Sequence, residues 1–158
     1  MEILLKVEKA VGGALLLLLT VTIFLQVIFR FLIDLPLAWS EELSRYSFIW
    51  LTMMVAPICI RLKANIGTGT LTAFPPRAAL IVQLCGGVLT LVFAGVLLVW
   101  GSMLLDVVRF QKSPAIGVPM YWIYAAIPVG AALMIVEIVA LIAAILKALS
   151  AIERAGSA

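Results

Sequence analysis

The sequence has no histidine, two cysteines and few charges. Charged residues make up 12% of its 158 positions, against about 25% in an ordinary soluble domain. Each shortage removes a class of function. A structural zinc site needs about four thiol or imidazole ligands, and Cys59 and Cys85 with no histidine cannot supply them. No nucleophile and base stand at a convincing spacing, so an enzyme is not expected. The eleven basic residues form no stripe interleaved with aromatics, so no nucleic-acid partner is expected either. They lie instead at the edges of apolar runs, as in membrane proteins.

What is present is apolar: 65% of residues are hydrophobic and the mean hydropathy is +1.25. A soluble fold of this size cannot hide that much apolar surface, so the reading is a single all-α integral membrane domain over residues 1–158, in contact with membrane lipid. The opening run through Phe29 has basic residues before it, like a signal peptide. It is too long for a usual h-region and no A-x-A site follows, so it reads as an uncleaved first span.

A bilayer core of roughly 30 Å takes about twenty helical residues. Four spans are expected, at about 10–32, 41–62, 78–106 and 119–147. The apolar part of the second, Tyr46 to Ile60, reaches only about 22 Å at the helical rise. Its helix must start earlier or continue past Arg61. Lys6, Lys9, Arg61, Lys63, Arg77, Lys147 and Arg154 fall on one side, and Arg30, Arg45, Arg109 and Lys112 on the other. The positive-inside rule then puts both termini in the cytoplasm. Both cysteines fall toward that side and read as reduced, core-packing residues.

The stretch "LPLAWSEELSRY" (Leu35 to Tyr46) lies on the outer side. Pro36 breaks the chain, Ser40 suits an N-cap, and Glu41 and Glu42 suit a first helical turn. Arg45 is four residues from Glu41 and three from Glu42, within reach of one salt bridge. Trp39 and Tyr46 suit the headgroup level. A short amphipathic helical stretch at the outer face, ahead of the second span, is therefore expected. Neighbouring glutamates point about 100° apart on a helix, which argues against a catalytic acid pair and leaves a docking surface as the functional reading. "KSPAIGVPM" reads as a rigid turn beside that stretch, with Pro119 as first helical residue.

Within the spans, Glu137 is the one acid well inside. An intramembrane carboxylate is a functional candidate by default. It reads as a single buried contact with an arginine or backbone donor, ahead of a cation or proton relay through Gln26 and Gln83; a carboxyl that keeps its proton is the third reading. Pro128 frees the Tyr124 carbonyl and kinks the fourth span; Pro57 is similar in the second. Ala126 and Gly130 form a small-xxx-small pair that permits close helix contact.

The motifs "QVIFRF", "WSEELSRYSFIW" and "RLKANIG", followed by "QKSPAIGVPMYWIYAAIPVGAALM" (Gln111 to Met134), resemble the small, four-span (Q-type) membrane subunit of tripartite ATP-independent periplasmic (TRAP) transporters. With the four-span layout the resemblance covers nearly the whole chain. It implies two partners, a large multi-span membrane subunit and a periplasmic substrate-binding protein, in a bacterial inner membrane. The large subunit would carry organic acids and the coupling sodium ions. The small one would have no catalytic residue or cofactor of its own, would scaffold the large one and would help dock the binding protein. By resemblance, Trp39, Ser40, Glu41, Glu42 and Arg45 match the first signature, Arg61 matches a basic residue after the second span, and Gln111, Ser113, Pro114, Gly117 and Pro119 match the second. One departure stands out: where the family often has a histidine and an aspartate in a pattern like H-I-x-x-D, this chain has Asn65 and Gly69. The competing reading is a small homo-oligomeric exporter working through Glu137.

Overall fold

The computed structural model describes residues 2–33, 37–70 and 76–156. Five helices account for nearly all of them: α1 (Glu2–Leu32), α2 (Ala38–Thr70), α3 (Pro76–Val108), the short α4 (Met120–Tyr124) and α5 (Ala126–Gly156). Four stretches are long and apolar enough to cross a membrane, Leu5–Leu32, Ala38–Leu62, Ala78–Val108 and Met120–Ser150. The short second run is lengthened at both ends. The stretch expected as a separate amphipathic helix is the first two turns of α2 itself, which also continues past Arg61. The third and fourth stretches, 31 residues each, reach about 46 Å, longer than the apolar core is thick. Pro36 lies outside the described residues, as do the side chain of Asn65 and the burial of Gly69.

The helices stand in a row. α1 packs on α2, α2 on α5 and α5 on α3, and among the described residues α1 and α3 form no comparable seam with each other. A closed bundle would need that last seam. Its absence explains why the core is a thin strip, with Ala94, Ala131, Met134 and Ile138 flanked by Ala56, Ile60, Leu91 and Ile142. It also explains why the edge helices expose large apolar groups such as Leu17 and Phe24 on α1 and Leu89 and Trp100 on α3. Cys59 and Cys85 are free and exposed. This corrects the expectation that they pack in a core: in an open row most of each helix surface has no helical neighbour.

Each seam closes on a glycine. A Cβ on Gly12 would lie 3.2 Å from Val55, on Gly87 3.3 Å from Ile142, on Gly101 2.8 Å from Ile127, and on Gly130 2.7 Å from both the Met53 carbonyl oxygen and the Met53 Cβ. The two intramembrane prolines sit at these contacts. Pro128 has no N–H for the Tyr124 carbonyl, and the fourth span is interrupted at Ala125 between α4 and α5. Helical bonding is kept around the break by Ala125 N–H donating to Tyr121 (2.9 Å) and Val129 N–H to Ala125 (3.2 Å). Pro57, fully buried, leaves the Met53 carbonyl without its helical donor, yet α2 stays continuous. It is this carbonyl that Gly130 packs against.

Candidate functional site

Two polar clusters stand near opposite ends of α2. The first joins the start of α2 to the turn between α3 and α4. That turn is a hairpin: Met120 N–H donates to the Gln111 carbonyl (2.9 Å), Ser113 N–H to Val118 (2.9 Å) and Gly117 N–H to Ser113 (3.0 Å). Gly117 has φ +75°, a left-handed conformation that favours glycine. Pro119 caps α4 with φ −59° and ψ 126°, so it precedes the helix instead of being its first residue: its ψ is extended.

Glu42 fills the mouth of this hairpin. Its carboxylate accepts from the Ser113 hydroxyl, from Ala115 N–H (3.1 Å) and from Ile116 N–H (3.1 Å). Three donors converging on one carboxylate make a charge-assisted clamp between segments 71 residues or more apart in sequence. The neighbouring Glu41 points elsewhere and pairs with Arg45 at 3.1 Å, both side chains about two-thirds exposed (67% and 65%). A surface pair of this kind contributes little to stability. Its contribution is an exposed pair of charges. Trp39, Gln111 and Pro114 are also exposed. Ser40 is fully buried, and its hydroxyl donates back to the Leu37 carbonyl at 2.8 Å. This corrects the N-cap reading: α2 begins at Ala38, so the Glu42 and Leu43 N–H groups that Ser40 would have capped already lie inside the helix. Of the residues singled out in sequence, then, Glu42 and Ser113 touch. Trp39, Glu41, Arg45, Gln111 and Pro114 lie in the same two segments.

Arg61 lies elsewhere, 19 positions after Glu42 and so about 28 Å further along the helix. There its guanidinium meets Glu137 of α5 at 3.3 Å. Glu137 is 3% exposed, and among the described residues no hydrogen bond links it to Gln26 or Gln83. A contact with an arginine is thus what the structure places at Glu137. Glu8 of α1, 2% exposed, joins this cluster through electrostatic interaction with both Arg61 and Glu137. Neither of its oxygens has a hydrogen-bond partner among the described residues. Sequence reasoning missed Glu8 because it sits between Lys6 and Lys9 and looks like part of a charged helix end. Its signal was spacing: Glu8 is four residues before Gly12, so both lie on one helix face, and Gly12 packs against Val55 of α2.

Among the described residues no three histidine, cysteine, aspartate or glutamate side chains are grouped as metal ligands. What the two clusters provide is a braced surface at one end and, at the other, a buried Arg61–Glu137 pair with the Glu8 carboxylate beside it.

A family model described as "Tripartite ATP-independent periplasmic transporters, DctQ component" matches residues 19–149. Three curated proteins are similar along much of the chain. An isethionate TRAP transporter permease protein DctMQ from Oleidesulfovibrio alaskensis is 31% identical over 106 residues, 63% of this chain and 16% of that protein. A sialic acid TRAP transporter permease protein SiaT from Haemophilus influenzae is 29% identical over 136 residues, 82% of this chain and 21% of that protein. A sialic acid TRAP transporter small permease protein SiaQ from Vibrio cholerae is 25% identical over 135 residues, 85% of this chain and 78% of that protein. The chain thus spans about a fifth or less of the length of the first two, and most of the third.

Proposed function

The chain belongs to the DctQ-component family of tripartite ATP-independent periplasmic (TRAP) transporters, and from that premise we propose that it is the small membrane subunit of such a system, companion to a larger one. It is a multi-pass helical protein with four stretches able to span a membrane. The observation that carries the reading is the open row of helices. A self-sufficient carrier needs a polar path enclosed by its own helices, whereas this row leaves broad apolar faces uncovered. Lipid can cover one such face, and a second polytopic protein the other. The relatives named as whole permeases include a stretch similar to this chain within a much longer protein, which supports a large permease subunit as that partner.

In this proposal the complex resides in the inner membrane with both termini of the chain in the cytoplasm. The large subunit carries an organic acid, with sialic acid and isethionate named for the relatives, coupled to sodium. A tagged chain extracted in gentle detergent is expected to co-purify with one large multi-span protein at one-to-one stoichiometry. A lone homodimer would overturn the proposal and favour the exporter reading, whose central residue, Glu137, is engaged by Arg61.

The clamp around Glu42 is the proposed base of the docking surface for the soluble binding protein. By holding the 113–116 turn against the start of α2, it fixes Pro114 relative to Trp39 and the Glu41–Arg45 pair. Glu41→Lys combined with Glu42→Lys is expected to reduce uptake and binding-protein affinity sharply, while the chain still assembles with its membrane partner. Glu41→Lys alone removes an exposed charge and leaves the turn in place, so its loss is the smaller. Unchanged uptake kinetics in the double variant would remove the docking role.

A further inference from the structure

We propose that the cavity between the end of α3 and the start of α4 is a binding site for the headgroup of a zwitterionic phospholipid carrying a primary amine, the phosphatidylethanolamine type. The cavity measures about 410 Å³ and is lined by Asp106, Arg109, Pro119, Tyr121 and Trp122. Its position sets its level in the bilayer. Asp106 and Arg109 flank the end of the third apolar stretch, and Tyr121 and Trp122 open the fourth. This is where helices leave the hydrocarbon and where tryptophan and tyrosine meet headgroups.

The two charges that line it do not neutralise each other. Asp106 and Arg109 are three residues apart and both exposed, but they form no salt bridge. Neither has a hydrogen bond to another described residue; Arg109 makes only a cation–π contact with Phe110, at 5.8 Å from the ring centroid. A cation and an anion that face one cavity, neither paired among the described residues, match a ligand that carries both signs. The Arg109 guanidinium suits a phosphate, which it can grip through two N–H groups. The Asp106 carboxylate suits an ammonium with N–H donors, which ethanolamine has and choline lacks. Tyr121 and Trp122, edge to face at 5.8 Å, provide an apolar wall against which the lipid's glycerol region can lie. The site stands independently of the transport proposal, since it needs only that these helix ends meet the membrane surface.

The test is native mass spectrometry of the full chain, titrated with phosphatidylethanolamine, phosphatidylcholine and phosphatidylglycerol of identical acyl chains. The ethanolamine lipid is expected to occupy one site in preference to the other two. Asp106→Asn is expected to erase its advantage over the choline lipid. Arg109→Gln is expected to lower binding of all three about fivefold, the change given by one charge contact of about 1 kcal/mol near a membrane surface. Both positions are exposed, so neither change threatens the fold. Equal occupancy by the three lipids would overturn the proposal. So would variants that keep the lipid preference but lose affinity for the soluble binding protein, which would make the cavity a protein contact.

Discussion

Replacing Arg61 with leucine is expected to cost the fold about 3–5 kcal/mol, the range for removing one partner of a buried ion pair. Arg61 is the cation in contact with Glu137, and Glu8 shares its field. Without it, two carboxylates exposed by only 2% and 3% remain in an apolar helix junction, where an uncompensated charge is very unfavourable. The measurement is unfolding of the purified chain in detergent, followed by helical circular dichroism. Arg61→Lys is expected to lose less, because the charge remains while the planar fork is lost. Adding Glu137→Leu to Arg61→Leu is expected to recover part of the loss, since the pair is then removed as a unit. If Arg61→Leu unfolded like the parent, Arg61 would not be the ion that compensates this junction.

Gly130→Ala is the second large effect, out of proportion to one methyl group. Helix propensity favours alanine over glycine by about 1 kcal/mol, so an unobstructed site would gain. At Gly130 the new Cβ would stand 2.7 Å from the Met53 carbonyl oxygen and from its Cβ. A backbone oxygen cannot rotate away as a side-chain tip can, so α5 must move off α2. Overpacking of this kind costs about 1–3 kcal/mol, and Gly130→Leu is expected to separate the helices outright. Gly13→Ala and Gly95→Ala are the controls, because a Cβ at either would meet nothing within 4 Å. A lower unfolding midpoint for Gly130→Ala, with neither control destabilised, is the expected pattern. Equal behaviour of all three variants would mean the α2–α5 seam is looser than described.

The same two sites mark how far the sequence could be read. Gly130 was visible as half of a small-xxx-small pair and Pro57 as a helix anomaly, but nothing in one dimension joined them. The link is a carbonyl, that of Met53, freed by a proline on one helix and covered by a glycine on another. Likewise Glu42 and Ser113 were each picked out as signature residues, yet their bond spans segments 71 residues apart. Arg61 and Glu137 are 76 apart, and Glu8 went unnoticed because its charged neighbours masked it.

Composition and run length by themselves determined the class, because an apolar segment of some twenty residues has few stable options outside a membrane-spanning helix. Local chemistry likewise determined the Glu41–Arg45 pair, which depends only on helical spacing, and the two carbonyls left without a helical donor by Pro57 and Pro128; that the helix breaks at the second and runs on at the first was decided by the tertiary structure. The order of the helices was left to the tertiary structure. So was the exposure of both cysteines, and so was the division of two adjacent glutamates into a clamp and a surface charge. The reason is physical. These helices are apolar nearly all round, so periodicity carries no information about which face meets lipid and which meets protein. Choosing the faces falls to glycine clearance and to a few long-range polar contacts, and both exist only once the helices are side by side.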